Sequence, residues 1–320
     1  MNQVPDIPAV NGTGHQKSRV MQSSVQPASP SGAVHDDLDR IVHAAIADES
    51  LDLPSPPQVA TEIMRLTRGD AAGEEMGNTS SQELAALIQR DLALAGQVMR
   101  VANSALYARR TPVVTLPQAI AWLGIREVRN IAFAVAVQSQ VFSSTYFRQE
   151  MNELWRESVI TALFAQEIAR LKRRNVESAY LCGLLHRAGM AVILSRVGSA
   201  VLKHRITADA GAVVQLAERH EARVGTHLAI AWTLPPVVSA AISHWRDPPQ
   251  AEMARIEVME VALARQISDE MRAPGAGGEL PDSMLGPVSK WMDELSIYPD
   301  ELFTIMAQRA AIYATAESFT

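Results

Sequence analysis

Apolar residues recur at three- and four-residue spacing through most of the chain, the period of a helix face and not of a strand. In DLALAGQVMRVANSALY, Leu92, Ala95, Val98, Met99 and Ala102 fall on one face, and Asp91 stands where a carboxylate caps a first turn. TLPQAIAWLG opens at Thr115, carries Pro117 early and stops at Gly124, the residue type best suited to a helix C-terminus. REVRNIAFAVAVQSQVF, NELWRESVITALFAQEIARL, ESAYLCGLLHRAGMAVIL and EARVGTHLAIAWTL repeat the pattern, as do IEVMEVALARQISDEMR and ELFTIMAQRAAIYATAESF beyond Pro249. No stretch alternates with period two between hairpin turns, so no sheet is expected. The predicted class is all-α, a multi-helix bundle of about a dozen helices.

The pattern fails in three places. Residues 1–38 are rich in Ser, Pro, Gly, Gln and Asn, too poor in apolar surface to offset the entropy of ordering, and are expected to be a disordered N-terminal segment. RGDAAGEEMGNTSS (68–81) and RAPGAGGELPDS (272–283) read as loops, and neither has the Lys or flanking strand of a phosphate-cradling loop. The expected organisation is a helical domain over 39–250 and a C-terminal helical extension, 251–320, packed on it.

Composition narrows the function classes. At 320 residues and 48% hydrophobic content the chain can bury a real core. A net charge of -6 argues against a dedicated polyanion binder. The one cysteine, Cys182, forms no intramolecular disulfide and suits a buried thiol in a reducing compartment. No secretory h-region opens the chain. The stretch Leu228 to Ser243 is interrupted by Pro235 and Pro236 and falls short of the ~20 apolar residues of a membrane span. A cytoplasmic protein with no membrane contact is expected.

Four histidines, His186, His204, His220 and His244, lie on or near predicted helices in the second half. Helix bundles build metal sites from inward His and carboxylates, although for a lone histidine a packed role is the simpler reading. LPQAIAWLGIREVRNIAF has a helix, Gly turn, helix outline with Arg126 and Arg129 on its second helix. Its residues Ile125, Val128, Ile131 and Ala132 look like core packing, so nucleic-acid binding is not favoured. RLKRRN (170–175) reads as a solvated basic cluster complementing a helix dipole.

LPSPPQVATEIMRL, QRDLALAGQVMRVANSALY, LPQAIAWLGIREVRNIAF, LWRESVITALFAQEIA, AYLCGLLHRAGMAVIL and ERHEARVGTHLAIAWTLPPVVSAAISHW follow one another in the order and spacing of the HDOD domain, the HD-related output domain of bacterial signalling proteins. The resemblance spans about Leu51 to Asp247. It implies an all-helical fold related to the HD metal-dependent phosphohydrolases, in which ligands come from a first His, a His-Asp pair, later histidines and a late Asp. The first-His position falls on Glu157 and the His-Asp pair on His186 and Arg187. The later histidine of the HxxxG type falls within HEARVG, where His220 is five residues before Gly225 and Glu221 four. The terminal His-His pair falls on His244 and Trp245. No Asp occurs from Glu257 to Arg265, where the late Asp would stand, and Met190 replaces the Lys of an HDxGK pattern.

Arg has no lone pair to give a metal and stays protonated. A guanidinium about 4 Å from a divalent ion costs about 8 kcal/mol at an effective dielectric of about 20, so Arg187 would have to swing away from an ion. The vestigial positions Glu157, His186, Arg187, His220, His244 and Trp245 therefore imply a degenerate site, with no metal, no cofactor and no catalytic residue. The expected function is a non-catalytic signal-transduction module acting on a protein partner or small ligand. The alternatives are a metal-dependent phosphohydrolase acting on a nucleotide or cyclic dinucleotide, with Glu157, His186 and His244 as a mononuclear ligand set, and a nucleic-acid-binding regulator.

Overall fold

Side-chain caps fix the first helix boundaries in the computed structural model, which describes residues 53–62, 78–271 and 290–319. After α1 (Asn78–Gln89), Asp91 caps α2 (Leu92–Ala102) by accepting the amides of Ala93 and Leu94 at 2.9 and 3.1 Å. Thr115 caps α3 (Leu116–Leu123) by accepting the Gln118 amide at 3.3 Å. The chain then turns at Gly124, whose φ of 82° is a region that favours glycine, directly into α4 (Ile125–Val141). No strand occurs among the described residues, so the fold is the expected all-α bundle. The segment 1–38, most of the 68–81 loop and the 272–283 loop lie outside the described residues, while 78–81 already begin α1.

The longest helix, α5 (Arg148–Leu171), is the spine. Trp155, Val159, Ile160, Leu163, Phe164 and Ile168 are buried along it, and α6 (Val176–Leu185) lies against it. α7 (Ala188–His204) turns away to meet α9 (Glu221–Ala231), with α8 (Ala210–Glu218) between them in the chain. α10 (Pro236–His244) and a 3-10 turn over Pro248–Ala254 lead to α11 (Arg255–Met271), which packs on α5 and α6. α12 (Pro299–Ala307) and α13 (Arg309–Glu317) return to α5.

Two predicted helices are each broken in two. ELFTIMAQRAAIYATAESF divides at Gln308 (φ -84°, ψ -3°), which lets α12 and α13 both reach α5. ESAYLCGLLHRAGMAVIL divides at His186 and Arg187, where Arg187 takes φ -111° and ψ 20°. Apolar periodicity runs unbroken across this junction, and just after it the chain packs closely on α9. A Cβ added at Gly189 would lie 1.9 Å from the Glu221 carbonyl oxygen and 2.7 Å from the Gly225 amide nitrogen. The backbones of α7 and α9 therefore touch, which no other residue at 189 would allow. α6 and α7 together form a run, Val176–His204, of 29 residues that is long and apolar enough to cross a membrane; its most apolar window has mean hydropathy 1.2, yet 89% of that window is buried inside the bundle.

The basic cluster at 170–175 lies only partly in solvent: Arg170 and Arg173 are exposed, as the sequence suggested, while Lys172 and Arg174 are half-buried against other segments. Lys172 donates to Glu301 at 3.0 Å and to the Ser296 carbonyl at 2.6 Å. Arg174 donates to Glu260 at 3.0 Å and to the Leu295 carbonyl at 3.4 Å, and Arg170 pairs with Glu167. Two of these cations thus fasten the C-terminal helices to the end of α5. On the second helix of the α3–α4 turn, Arg126 is exposed, Arg129 is buried against Glu177, and Glu127 is half-buried against Tyr107 and Gln166.

Burial pushes the Glu260 carboxyl from 4.5 up to about 7, with the hydrogen bond from Arg174 opposing the shift. The folded state therefore holds a proton that the unfolded chain has released, and this contribution to stability is lost as pH rises through that interval. The Glu260→Gln variant should gain on the wild type between pH 5 and pH 8 in denaturant melts; a pH-independent difference between the two would refute the assignment.

Candidate functional site

The helix break at 186–187 delivers two side chains to one place. His186 is fully buried; its Nδ1 lies 2.7 Å from the Gly183 carbonyl, which can only accept, so Nδ1 carries the proton. Nε2 keeps its lone pair, buried without a hydrogen-bond partner among the described residues. Burial first, then the nearby Arg265 and Arg187 charges, hold the ring well below its ordinary pKa and hence neutral. Trp245 stands edge-on to it, with ring centroids 5.0 Å apart and planes at 88°.

Arg187 does not swing away. Its Nε and Nη2 each donate to Glu221 Oε2 at 3.3 Å, its Nη1 is 3.6 Å from Glu157 Oε2, and its Nη2 is 3.8 Å from Glu218 Oε1. Glu221 opens the first turn of α9, where a helix N-terminus favours a carboxylate. Its second oxygen accepts from Arg246, whose guanidinium also lies over the Trp245 ring at 4.2 Å. Arg265, on α11, places Nη2 3.1 Å from Glu157 Oε2 and Nη1 2.8 Å from Asp269. Four helices and the two turns at 186–187 and 245–246 thus converge on a lattice of three guanidiniums and four carboxylates.

Of the six vestigial positions, Glu157, His186, Arg187 and Trp245 are brought together. His220 is half-buried at the α9 N-cap, His244 is half-buried in the last turn of α10, and His204 is exposed at the end of α7. The place expected of the HxxxG histidine is filled by Glu221. Among the described residues no group of three His, Cys, Asp or Glu side chains is placed to hold a metal ion. The donor set does not suit one either, because two guanidiniums already share the Glu157 oxygen. Cys182 is buried, its thiol pushed up by that burial.

Arg246, Glu218 and Arg265 were not singled out by sequence reasoning. The available signal for Arg265 was a cation inside the very window where a ligand carboxylate was missing. Away from this lattice, a cavity of about 820 Å³ opens between Ser55–Val59, the start of α2 and the end of α4. Gln58, Gln97, Arg100, Val135, Gln138 and Phe142 are among the residues that line it.

The bundle is the architecture of the HD-like helical domains. The chain belongs to the HDOD domain family, whose pattern matches residues 53–248. An uncharacterized protein of Treponema pallidum (strain Nichols) is 26% identical over 251 residues, 76% of this chain, which spans about half (47%) of that protein's length. Among solved structures, an HDOD domain protein of unknown function from Geobacter sulfurreducens superposes with a TM-score of 0.64 at 23% identity, covering 91% of this chain and 99% of that one. A candidate metal-dependent phosphohydrolase from Shewanella amazonensis SB2B gives 0.64 at 21% identity, covering 90% and 100%. A candidate signal transduction protein from Marinobacter aquaeolei VT8 gives 0.59 at 22%, covering 89% and 66%. At these identities the structural likenesses carry the fold and nothing of the chemistry.

Truncating one member of a buried ion pair leaves an uncompensated charge and costs about 3–5 kcal/mol. Arg187→Ala, which takes from Glu221 and Glu157 the buried cation they share, should fall in this range in urea melts. Arg246→Ala, whose side chain is 43% exposed, should cost less than half as much. Equal losses for the two would show that the lattice is not centred on Arg187.

Proposed function

We propose that this chain is a non-catalytic regulatory HDOD module of bacterial signal transduction, acting in the cytoplasm by binding a protein partner or a small molecule. The observation that supports it is the pair of guanidiniums, Arg187 and Arg265, on one oxygen of Glu157. Two-metal hydrolysis needs carboxylates and imidazoles turned toward cations that activate water. Here the carboxylates are turned toward arginines, and the His186 ring stands alone as a neutral donor. The HDOD unit is taken as 39–250, with 251–320 as an extension that contributes Arg265. Nucleic acid is disfavoured as a partner because Arg129 is spent on Glu177.

Protein purified without chelator should contain far less than one equivalent of manganese, iron or zinc. It should show no cleavage of bis(p-nitrophenyl) phosphate or of a cyclic dinucleotide above the manganese blank. Stoichiometric metal, or hydrolysis abolished by His186→Ala, would overturn this reading in favour of the phosphohydrolase.

A small-molecule input has its own support, since a cavity of about 820 Å³ lies in the range that small ligands occupy. Gln138→Trp would fill part of it. A nucleotide or metabolite that raises the wild-type Tm by several degrees should leave this variant unmoved; an equal shift in both would place the ligand elsewhere.

A further inference from the structure

We infer that the cavity between α2 and α4 binds a short peptide in extended form, holding its free ammonium end at Asp91 and its carboxylate end at Arg100. This ligand is one form of the small-molecule input proposed above, and the assignment rests on that reading. α2 and α4 pack on one another, and the cavity lies along both. Ala93, Gln97 and Arg100 line it from α2, and Val135, Gln138 and Phe142 from α4, each set at spacings of three and four residues and so on a single face. Its walls are therefore two helical turns long, about 10 Å, and the rise from Asp91 to Arg100 is about 13 Å. An extended chain advances about 3.3–3.6 Å per residue, so the trough matches about three or four residues.

Asp91 and Arg100 are the charged residues of the lining, and neither charge is fully engaged. Arg100 is exposed and makes no ion pair or side-chain hydrogen bond among the described residues. Both amides that Asp91 caps bond its Oδ1, which leaves Oδ2 without a partner among them. Each whole charge outweighs the half charge of opposite sign at its own end of α2. One anion and one cation set this far apart select a ligand that is itself a zwitterion. They disfavour a nucleotide, whose clustered phosphates would have a single guanidinium to meet and a carboxylate to avoid. Between the charges the lining matches a peptide backbone, which offers one N–H and one carbonyl per residue, the pair that a glutamine amide presents in return. Gln58, Gln138 and Gln140 make no side-chain hydrogen bond among the described residues, and Gln97 gives its Nε2 to the Ser318 carbonyl at 3.1 Å and keeps its Oε1. Val59, Leu94, Val135 and Phe142 add apolar surface for small side chains.

Untagged full-length protein would be titrated by calorimetry at low salt with the peptide Ala-Leu-Ala-Ala, its N-acetyl form and its C-terminal amide. The free peptide should bind with a Kd below a millimolar, and blocking either end should weaken it about fivefold. Amidation should cost affinity in the wild type and in Asp91→Asn but nothing in Arg100→Gln. Acetylation should cost affinity in the wild type and in Arg100→Gln but nothing in Asp91→Asn, where asparagine still caps α2. Gln138→Trp should abolish binding; both end variants are at exposed positions and decide the matter should that one not fold. No binding of the free peptide, binding that survives in folded Gln138→Trp, or blocking costs that are the same in every variant would overturn the inference. If a nucleotide or metabolite then still raises the Tm of the wild type and not of Gln138→Trp, the small-molecule reading stands and the peptide alone falls.

Discussion

One guanidinium, that of Arg187, holds together the part of this bundle where the helices would otherwise repel. Glu157 on α5 and Glu221 on α9 are both buried and bring their charges toward the same point. Buried carboxylates persist only when paired, and the pair is worth its desolvation only with good geometry and further hydrogen bonds. The contact between α7 and α9 at Gly189 supplies that geometry, because it sets the start of α9, and so Glu221, against the residues that follow Arg187. A break in an apolar helix, a glycine crossing and an ion-pair lattice are therefore three aspects of one packing solution.

The lattice also reaches beyond the family's matched residues. Arg265 lies past position 248, on a helix that the HDOD pattern does not include, yet it binds the same Glu157 oxygen as Arg187. Lys172 and Arg174 fasten the following helices to the far end of α5. The C-terminal helices are consequently integrated by charge at both ends of the spine, and by apolar burial of Val258, Leu263 and Ile267 between them.

The helices, their caps at Asp91 and Thr115 and the turn at Gly124 were legible in the sequence because each is a local signal, written within one or two turns. The family was legible because six blocks keep their spacing. The break at His186 was not, since apolar spacing continues through it and the helix packed closely just after it, α9, lies more than thirty residues away in the chain. The same holds for the solvated reading of Lys172 and Arg174, whose partners are Glu301 and Glu260. Charge pairs between distant segments leave no periodic trace, so the roles of Arg246 and Arg265 could be seen only in three dimensions.

The run Val176–His204 carries a further consequence at synthesis. Its 29 residues are apolar enough, by length and composition, to be offered to a bilayer before the rest of the bundle exists to bury them. An arginine near the middle of such a segment adds about 2.5–3.5 kcal/mol to the cost of membrane insertion. Arg187 and Arg196 both lie in the interior of the run, so the charge that bridges two carboxylates in the bundle is also one of two that would make the same segment costly to place in a bilayer.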